Sequence, residues 1–442
     1  MNTSFAGHYT YGGLLKITFP SMIMLVFTSI YGVVDGFFVS NYVGKAAFTA
    51  VNFIMPFLMM LGALGFLLGT GGGALIAKTM GERRPQQANR LFSMVVYISL
   101  ICGVILSAGG ILLLRPLARA MGAEGGLLEN SVRYGRVILL AIPVYILQYE
   151  FQCLFATAGK PKLGLYVTVA AGVTNMVLDW LFVAVLPWGL EGAAAATAIS
   201  QCVGGIIPLV YFARPNTSLL RLGRFHLDGR SLAQICLNGS SELLSNISMS
   251  LVNMLFNIQL LHYAGEDGIA AYGVLMYVSM IFQALFIGYC VGSAPVVSFH
   301  YGAQNHEELK SLRRKSLALI SVFALAMFAA AWGLSRPLAR LFVGYDPGLF
   351  ELTVRAFFLF SFSFLFAGFS IFGSSFFTAL NDGLVSAAIS FLRTLVFQVA
   401  AVLLLPGILG VDGIWISVTA AEILSVGVTI AFLKGKQKRY GY

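Results

Sequence analysis

The stretch Ile30-Tyr31-Gly32-Val33-Val34-Asp35-Gly36-Phe37-Phe38-Val39 closes the first hydrophobic run of the chain. It sets a carboxylate, Asp35, inside apolar sequence, with Tyr31 one helical turn before it. A run of about 20 apolar residues reads as a membrane-spanning helix. An ionisable group within such a helix is costly and marks function, with a partner to be named. The sequence offers Asp179, in a later apolar run, one turn after Asn175.

Composition supports the membrane reading. Of 442 residues, 58% are hydrophobic and 10% charged, against about 45–50% and about 25% in soluble domains. A soluble enzyme is excluded on that ground. The net charge of +10 would suit nucleic acid only if it formed a basic face or stripe. Lys and Arg instead fall in short clusters between apolar runs, so no nucleic-acid partner is expected. Cys102, Cys153, Cys202, Cys236 and Cys290 all lie in apolar runs without close spacing, which predicts neither a disulfide nor a zinc site. The first run lacks a basic leader and contains Pro20 and Asp35, so it reads as a retained helix.

Working outward, the 20-residue rule finds twelve spans: 14–39, 48–76, 92–114, 134–158, 163–186, 191–213, 233–262, 269–298, 314–335, 354–379, 384–405 and 411–433. One set of connections, with Lys16 and the tail, carries 19 Lys and Arg, including Lys78, Arg83, Arg84, Lys160, Lys162 and Arg314. The other carries 8: Lys45, Arg115, Arg119, Arg133, Arg136, Arg336, Arg340 and Arg355. Positive charge stays inside, so both termini are expected in the cytoplasm.

The chain also repeats itself. Arg115-Pro116-Leu117-Ala118-Arg119 recurs as Arg336-Pro337-Leu338-Ala339-Arg340, an offset of 221, half the length. The same offset carries Gly44, Gly71, Gly81 and Gly192 onto Gly265, Gly292, Gly302 and Gly413. The fold expected is an all-α polytopic membrane protein, with twelve transmembrane helices in two pseudo-symmetric six-helix bundles. Residues 1–213 form one lobe, 214–232 a cytoplasmic linker and 233–442 the other. An even number of helices per half gives a parallel repeat with a substrate site between halves. The duplicated Arg pairs read as amphipathic elements at the membrane surface.

Depth then groups the polar residues. Asp35 falls ~8 Å, Asp179 ~12 Å and Thr197 ~9 Å from the outer ends of their helices. Asn175 and Tyr31 sit one turn deeper. Like charge and lost hydration disfavour two ionised carboxylates in one dry site, so a proton or a small cation is expected there. Asn and Thr oxygens suit a hard cation such as Na⁺; the same set suits a proton relay. Offset 221 puts Phe256 opposite Asp35, and aligning Pro187 with Pro406 puts Gln398 opposite Asp179. The ion chemistry is therefore expected in the first half alone. In the second half, Arg393 and Glu422 reach mid-membrane, as a fixed pair or as cavity lining. Glu242 is read as an attractor of cationic substrate or a partner for Ser241 and Asn246. Glu150 is read equally as cavity lining or a surface acid. Phe256, Met254, Met276 and Phe282 are candidates to hold flat hydrophobic cations by stacking and cation–π contact. Pro20 frees a carbonyl one turn earlier, as a hinge or a static bend.

Pro20, Tyr31, Asp35, Asn175, Asp179 and Thr197, with the Gly81 and Gly302 connections, resemble the multidrug and toxic compound extrusion (MATE) family, in its MepA-type branch. The resemblance covers the whole chain. It implies an antiporter that takes up H⁺ or Na⁺ and exports cationic, amphipathic drugs by alternating access. It adds Tyr134 to the ion site, with Na⁺ or H⁺ at Asp35, Asn175, Asp179 and Thr197. It further implies no cofactor beyond that ion, and a monomer in the cell membrane that binds small organic solutes. Some relatives carry their acids in helices 7 and 10, and here helix 10 has none. A lipid or lipid-linked oligosaccharide flippase is the alternative, but it would need several inward cations, and only Arg393 qualifies. No HExxH or Ser-His pairing supports a membrane-embedded enzyme.

Overall fold

The computed structural model describes residues 5–344 and 346–442, without the side chains of Ser40 and Lys45; the side chain of Lys45, counted above among the outer basic residues, lies outside that description. The described residues are almost entirely helical and hold no β-strand. The first half contains α1 (Tyr11–Phe38), α2 (Lys45–Gly81), α3 (Pro85–Ala120), α4 (Gly125–Thr157), α5 (Pro161–Asp179) and α6 (Gly189–Ala213). The second contains α7 (Gly229–Gly302), α8 (His306–Val343), α9 (Pro347–Ser361), α10 (Phe364–Ala379) and α11 (Gly383–Phe391). It closes with α12 (Gln398–Leu404), α13 (Pro406–Leu409), α14 (Val411–Gly435) and α15 (Gln437–Tyr440).

The helices start where local chemistry permits. Thr10 Oγ1 accepts from the amide of Gly13 at 3.1 Å, and Asp228, Asn305, Asp346 and Asp382 likewise accept from amides in the first turns of α7, α8, α9 and α11. Such caps satisfy the free amides of a helix start. Pro85 and Pro161 open α3 and α5, where no amide donor is needed.

Ten described helices are long and apolar enough to cross a membrane. α7 has 74 residues, or about 111 Å at the helical rise, far more than a bilayer core of about 30 Å. It turns at Gly265, whose φ of 65° suits glycine alone, and so counts as two spans. α9 and α10, bent by 47° at their junction, make one more. The total is the twelve expected. The Arg-Pro-Leu-Ala-Arg repeats differ from expectation. They are not separate surface elements but the last turns of α3 and α8, helices that outrun the membrane. Arg115 there donates to both oxygens of Glu129, at 2.7 and 2.8 Å.

The repeat is written into the backbone. Gly44 and Gly265 both have positive φ, and so do Gly189 and Gly410, 221 residues apart. Extending that register puts Ala400, not Gln398, opposite Asp179; the second half lacks the acid either way. The contacts between halves are exchanged in the same register. Gly81 packs on the backbone of Phe299, and Gly302 on that of Lys78. Gly71 packs on Ile235 and Gly239, and Gly292 on Thr18. Each partner is its counterpart's partner plus 221, as an axis along the membrane normal requires.

These contacts locate the seal. Two large apolar cores, one around Tyr134 and Ile142, the other around Phe256 and Trp415, are each confined to a single half and lie toward the sparsely charged side. The cores nearer the Lys- and Arg-rich side mix both halves: Phe5, Leu14 and Met22 join second-half residues, and Ile235 joins first-half ones. The N-terminal segment crosses over there too. Both Glu308 oxygens are engaged, by His8 Nδ1 at 2.5 Å and the Tyr9 amide at 3.0 Å, while Lys315 donates to the Tyr9 carbonyl. Two lobes thus close on the basic side and part toward the other.

Candidate functional site

Asp35 and Asp179 end up beside each other. α1 and α5 pack together, and the two carboxyl groups lie within hydrogen-bonding reach. Thr197 on α6 is within polar reach of Asp35 and of the Tyr134 hydroxyl. Yet Asp35 Oδ1, both Asp179 oxygens, Thr197 Oγ1 and Asn175 Oδ1 are buried, and none forms a hydrogen bond of good geometry among the described residues. Two facing carboxylates have no donor between them, so nearness alone does not pair them. A proton shared between them, or a small cation, would supply what is missing. Such a gap is expensive in a dry site; acceptor oxygens outnumber the donors that Thr197, Tyr134 and Asn175 bring, so the cluster fits a hard cation or a proton.

The backbone is irregular at these places. Wide π turns follow Asp35 (Val39–Val43) and Asp179 (Trp180–Val185), and a third contains Arg393 (Leu392–Phe397). Such bulges recur at functional sites. Tyr31 faces Asp35 and Tyr149, and accepts a long 3.4 Å bond from Gln148 Nε2. Tyr145 and Tyr149 join hydroxyls at 2.9 Å, continuing a polar file below the acids. Sequence reading missed Gln148, Tyr145, Tyr149 and Gln201. Gln201 sits one turn beyond Thr197, and its buried Oε1 has no partner among the described residues, so the depth test used on Thr197 would have reached it.

A second feature lies between the lobes, a cavity of ≈ 160 Å³. Gly69, Thr70 and Thr157 contribute from the first lobe; Glu242, Asn246, Gln283, Ser374 and Arg393 from the second. Glu242 and Arg393 both line this space. Arg393 is also paired: its Nε and Nη2 donate to Glu422 at 2.7–3.0 Å. Glu422 itself is buried behind that pair and is not a cavity wall, which corrects one expectation. Phe256 and Met254 are two more corrections. Phe256 stacks on Tyr272 at 5.2 Å inside the second-lobe core, and Met254 is 59% exposed away from the cavity. Two positions apart, they point to opposite sides of α7, so one cavity could not take both. Glu150 is fully buried and accepts from Ser99 on α3; it is neither a cavity wall nor a surface acid. Pro20 lies inside α1, which continues as helix to Phe38. Among the described residues, no His, Cys, Asp and Glu cluster could hold a transition metal.

Comparison with known proteins places this geometry. The MatE family profile matches twice, over residues 20–181 and 243–403. The multidrug export protein MepA of Staphylococcus saprophyticus is 24% identical over 419 residues, covering 93% of this chain and 91% of its own. MepA of Staphylococcus aureus is 23% identical over 364 residues, 80% of each. A crystal structure of a MATE protein in complex with MaL6 superposes with a TM-score of 0.94 at 23% identity, over 100% of this chain and 99% of that one. An outward-facing multidrug resistance MATE transporter gives 0.92 at 23% identity, over 97% and 96%.

Proposed function

The chain belongs to the MatE family, and from that premise we propose that it is a secondary antiporter of the plasma membrane. It exports cationic organic solutes in exchange for H⁺ or Na⁺, by alternating access. The observation that carries the reading is the convergence of Asp35 and Asp179 with buried oxygens that have no hydrogen-bond partner of good geometry among the described residues. An inward-moving cation neutralises that cluster; its release restores repulsion between the carboxylates. The relatives' printed name, multidrug export protein, supports the outward direction and organic drugs as solutes. The chain catalyses no covalent reaction, needs no cofactor beyond the coupling ion, binds no nucleic acid and acts as a monomer with both termini in the cytoplasm.

One helix joins the ion site to the seal. α1 carries Asp35 near its outer end and, nearer the basic side, Thr18, Ser21 and Met22, which pack against Gly288 and Gly292 of α7. Pro20 lies within that seal. A change of charge at Asp35 that moves α1 against α5 and α6 therefore acts on the lobe contact, with Pro20 as the point of flexure. A flippase for lipid pyrophosphates is disfavoured, because Arg393 is already neutralised by Glu422. The test is gradient-driven efflux from proteoliposomes for a panel of organic amines, from ethidium to amino sugars. Asp35→Asn and Asp179→Asn abolish efflux of every solute the wild type moves, at normal expression. Wild-type rates in both variants would remove the proposed role.

A further inference from the structure

On the basic side of the first lobe, the ends of three helices leave an open groove of ≈ 660 Å³. Local sequence places its charges. Gly159, at φ 71°, follows the end of α4, and Pro161 opens α5 two residues later. That tight turn presents Lys160 and Lys162 together at the groove. Across from it, Lys16 lies five residues into α1, about 8 Å along the helix. Gly13, Lys16 and Ile17 line the groove and share one helical face, apart from Leu14 and Thr18, which are buried. Tyr211 of α6 completes it.

The walls suit an amphiphile. Between the lysines they are apolar, formed by Ile17, Leu163 and the ring of Tyr166. Tyr166 is 66% exposed, as an aromatic side chain at the level of lipid headgroups is. The charge is of one sign. No Asp or Glu occurs in residues 1–34, 151–178 or 192–227, the segments that build the groove. Among the described residues, no carboxylate lies within 4.0 Å of any of the three ammonium groups. The first turn of α5 has no side-chain cap, so its positive end adds to the same field. Three cations without counter-charge thus border an apolar slot that opens outward.

We propose that this groove binds an anionic phospholipid of the inner leaflet. The headgroup phosphate meets Lys16, Lys160 and Lys162, since an ammonium serves phosphate as a point charge. An acyl chain lies against Ile17, Leu163 and Tyr166. The inner leaflet is the anionic one, and basic pockets between membrane helices on that side take such headgroups. The lipid bridges α1 and α5, the two helices that carry Asp35 and Asp179 at their other ends. The proposal takes from the exporter reading only the orientation of the basic side. A soluble phosphate shares the headgroup chemistry but has nothing to set against the apolar wall.

The test uses the full-length protein, delipidated in detergent and read by native mass spectrometry. Phosphatidylglycerol and phosphatidylcholine are titrated in, and inorganic phosphate is added as a competitor. Phosphatidylglycerol binds more tightly than phosphatidylcholine, and inorganic phosphate does not displace it. Lys16→Gln, Lys160→Gln and Lys162→Gln each weaken phosphatidylglycerol about fivefold, and together about a hundredfold. None of the three side chains holds a hydrogen bond among the described residues, so Tm without lipid stays at the wild-type value. A control variant with Lys434, Lys436 and Lys438 all changed to Gln keeps wild-type affinity. The proposal is overturned if phosphatidylcholine binds as tightly, or if the triple groove variant binds like wild type. It is equally overturned if the control variant loses as much as the groove variant. Displacement by inorganic phosphate would assign the site to a soluble anion and sink the lipid.

Discussion

Adding one methyl group at Gly239 tests how the lobes are held. Gly239 packs against the backbone of Leu67 on α2. A Cβ there would sit 2.7 Å from the Leu67 carbonyl carbon and 2.9 Å from its Cα, with the carbonyl oxygen nearer still. Ordinary contact begins at 3.4 Å, so the shortfall at the carbon is about 0.7 Å. Backbone cannot rotate away as a side chain can, so α2 and α7 must part. Overpacking of this size costs about 1–3 kcal/mol, charged to the one state in which the lobes touch here. That shifts the equilibrium between states by about 5–150-fold, away from closure on the basic side. The assay is labelling of Asn246→Cys in the cavity by an impermeant maleimide, with the five native cysteines replaced. In Gly239→Ala, labelling from the cleft side slows and labelling from the basic side rises. Unchanged rates on both sides in a folded variant would refute the reasoning. Gly81→Ala and Gly302→Ala, whose contacts are exchanged by the repeat, produce matching effects.

Other outcomes follow from single contacts. Arg393→Met leaves Glu422, 2% exposed, without its partner and costs about 3–5 kcal/mol; the pair Arg393→Met with Glu422→Leu regains most of the lost Tm in detergent, and an unchanged Tm in the single variant would contradict the pair's importance. Glu308→Ala removes the carboxylate that His8 and the Tyr9 amide share, so limited proteolysis cuts the N-terminal segment faster than in wild type; equal rates would mean that Lys315 and the packing of Phe5 and Tyr9 hold the crossing segment without it. Ser99→Ala strips Glu150 of its donor, and an acid left wholly unpaired inside the lobe lowers Tm by the equivalent of about 1–3 kcal/mol; no loss would mean that a partner replaces the serine.

The sequence was most legible where a rule depends on length or register. Runs of about 20 apolar residues placed the spans, and the 221-residue offset anticipated the pairs of glycines at positive φ and the exchanged lobe contacts. Asp35, Asp179 and Thr197 were found by depth, because all three lie in one slab. What escaped were pairings between distant faces. Nothing in α3 announces that Ser99 meets Glu150, and nothing in α7 says which of Met254 and Phe256 turns inward. The cavity lining was hidden for the same reason: it is drawn from several helices, whereas the aromatic residues that stand out in the sequence lie elsewhere among the described residues.

The account turns on whether the two carboxylates carry the coupling ion. Solute-induced cation movement in proteoliposomes, read with a pH-sensitive dye in one arm and a Na⁺ tracer in the other, measures this directly. In one arm the wild-type protein moves cations opposite to the solute, and both Asp35→Asn and Asp179→Asn reduce that movement to background. Stoichiometric cation movement that persists in either variant would contradict the claim that the ion is bound between them.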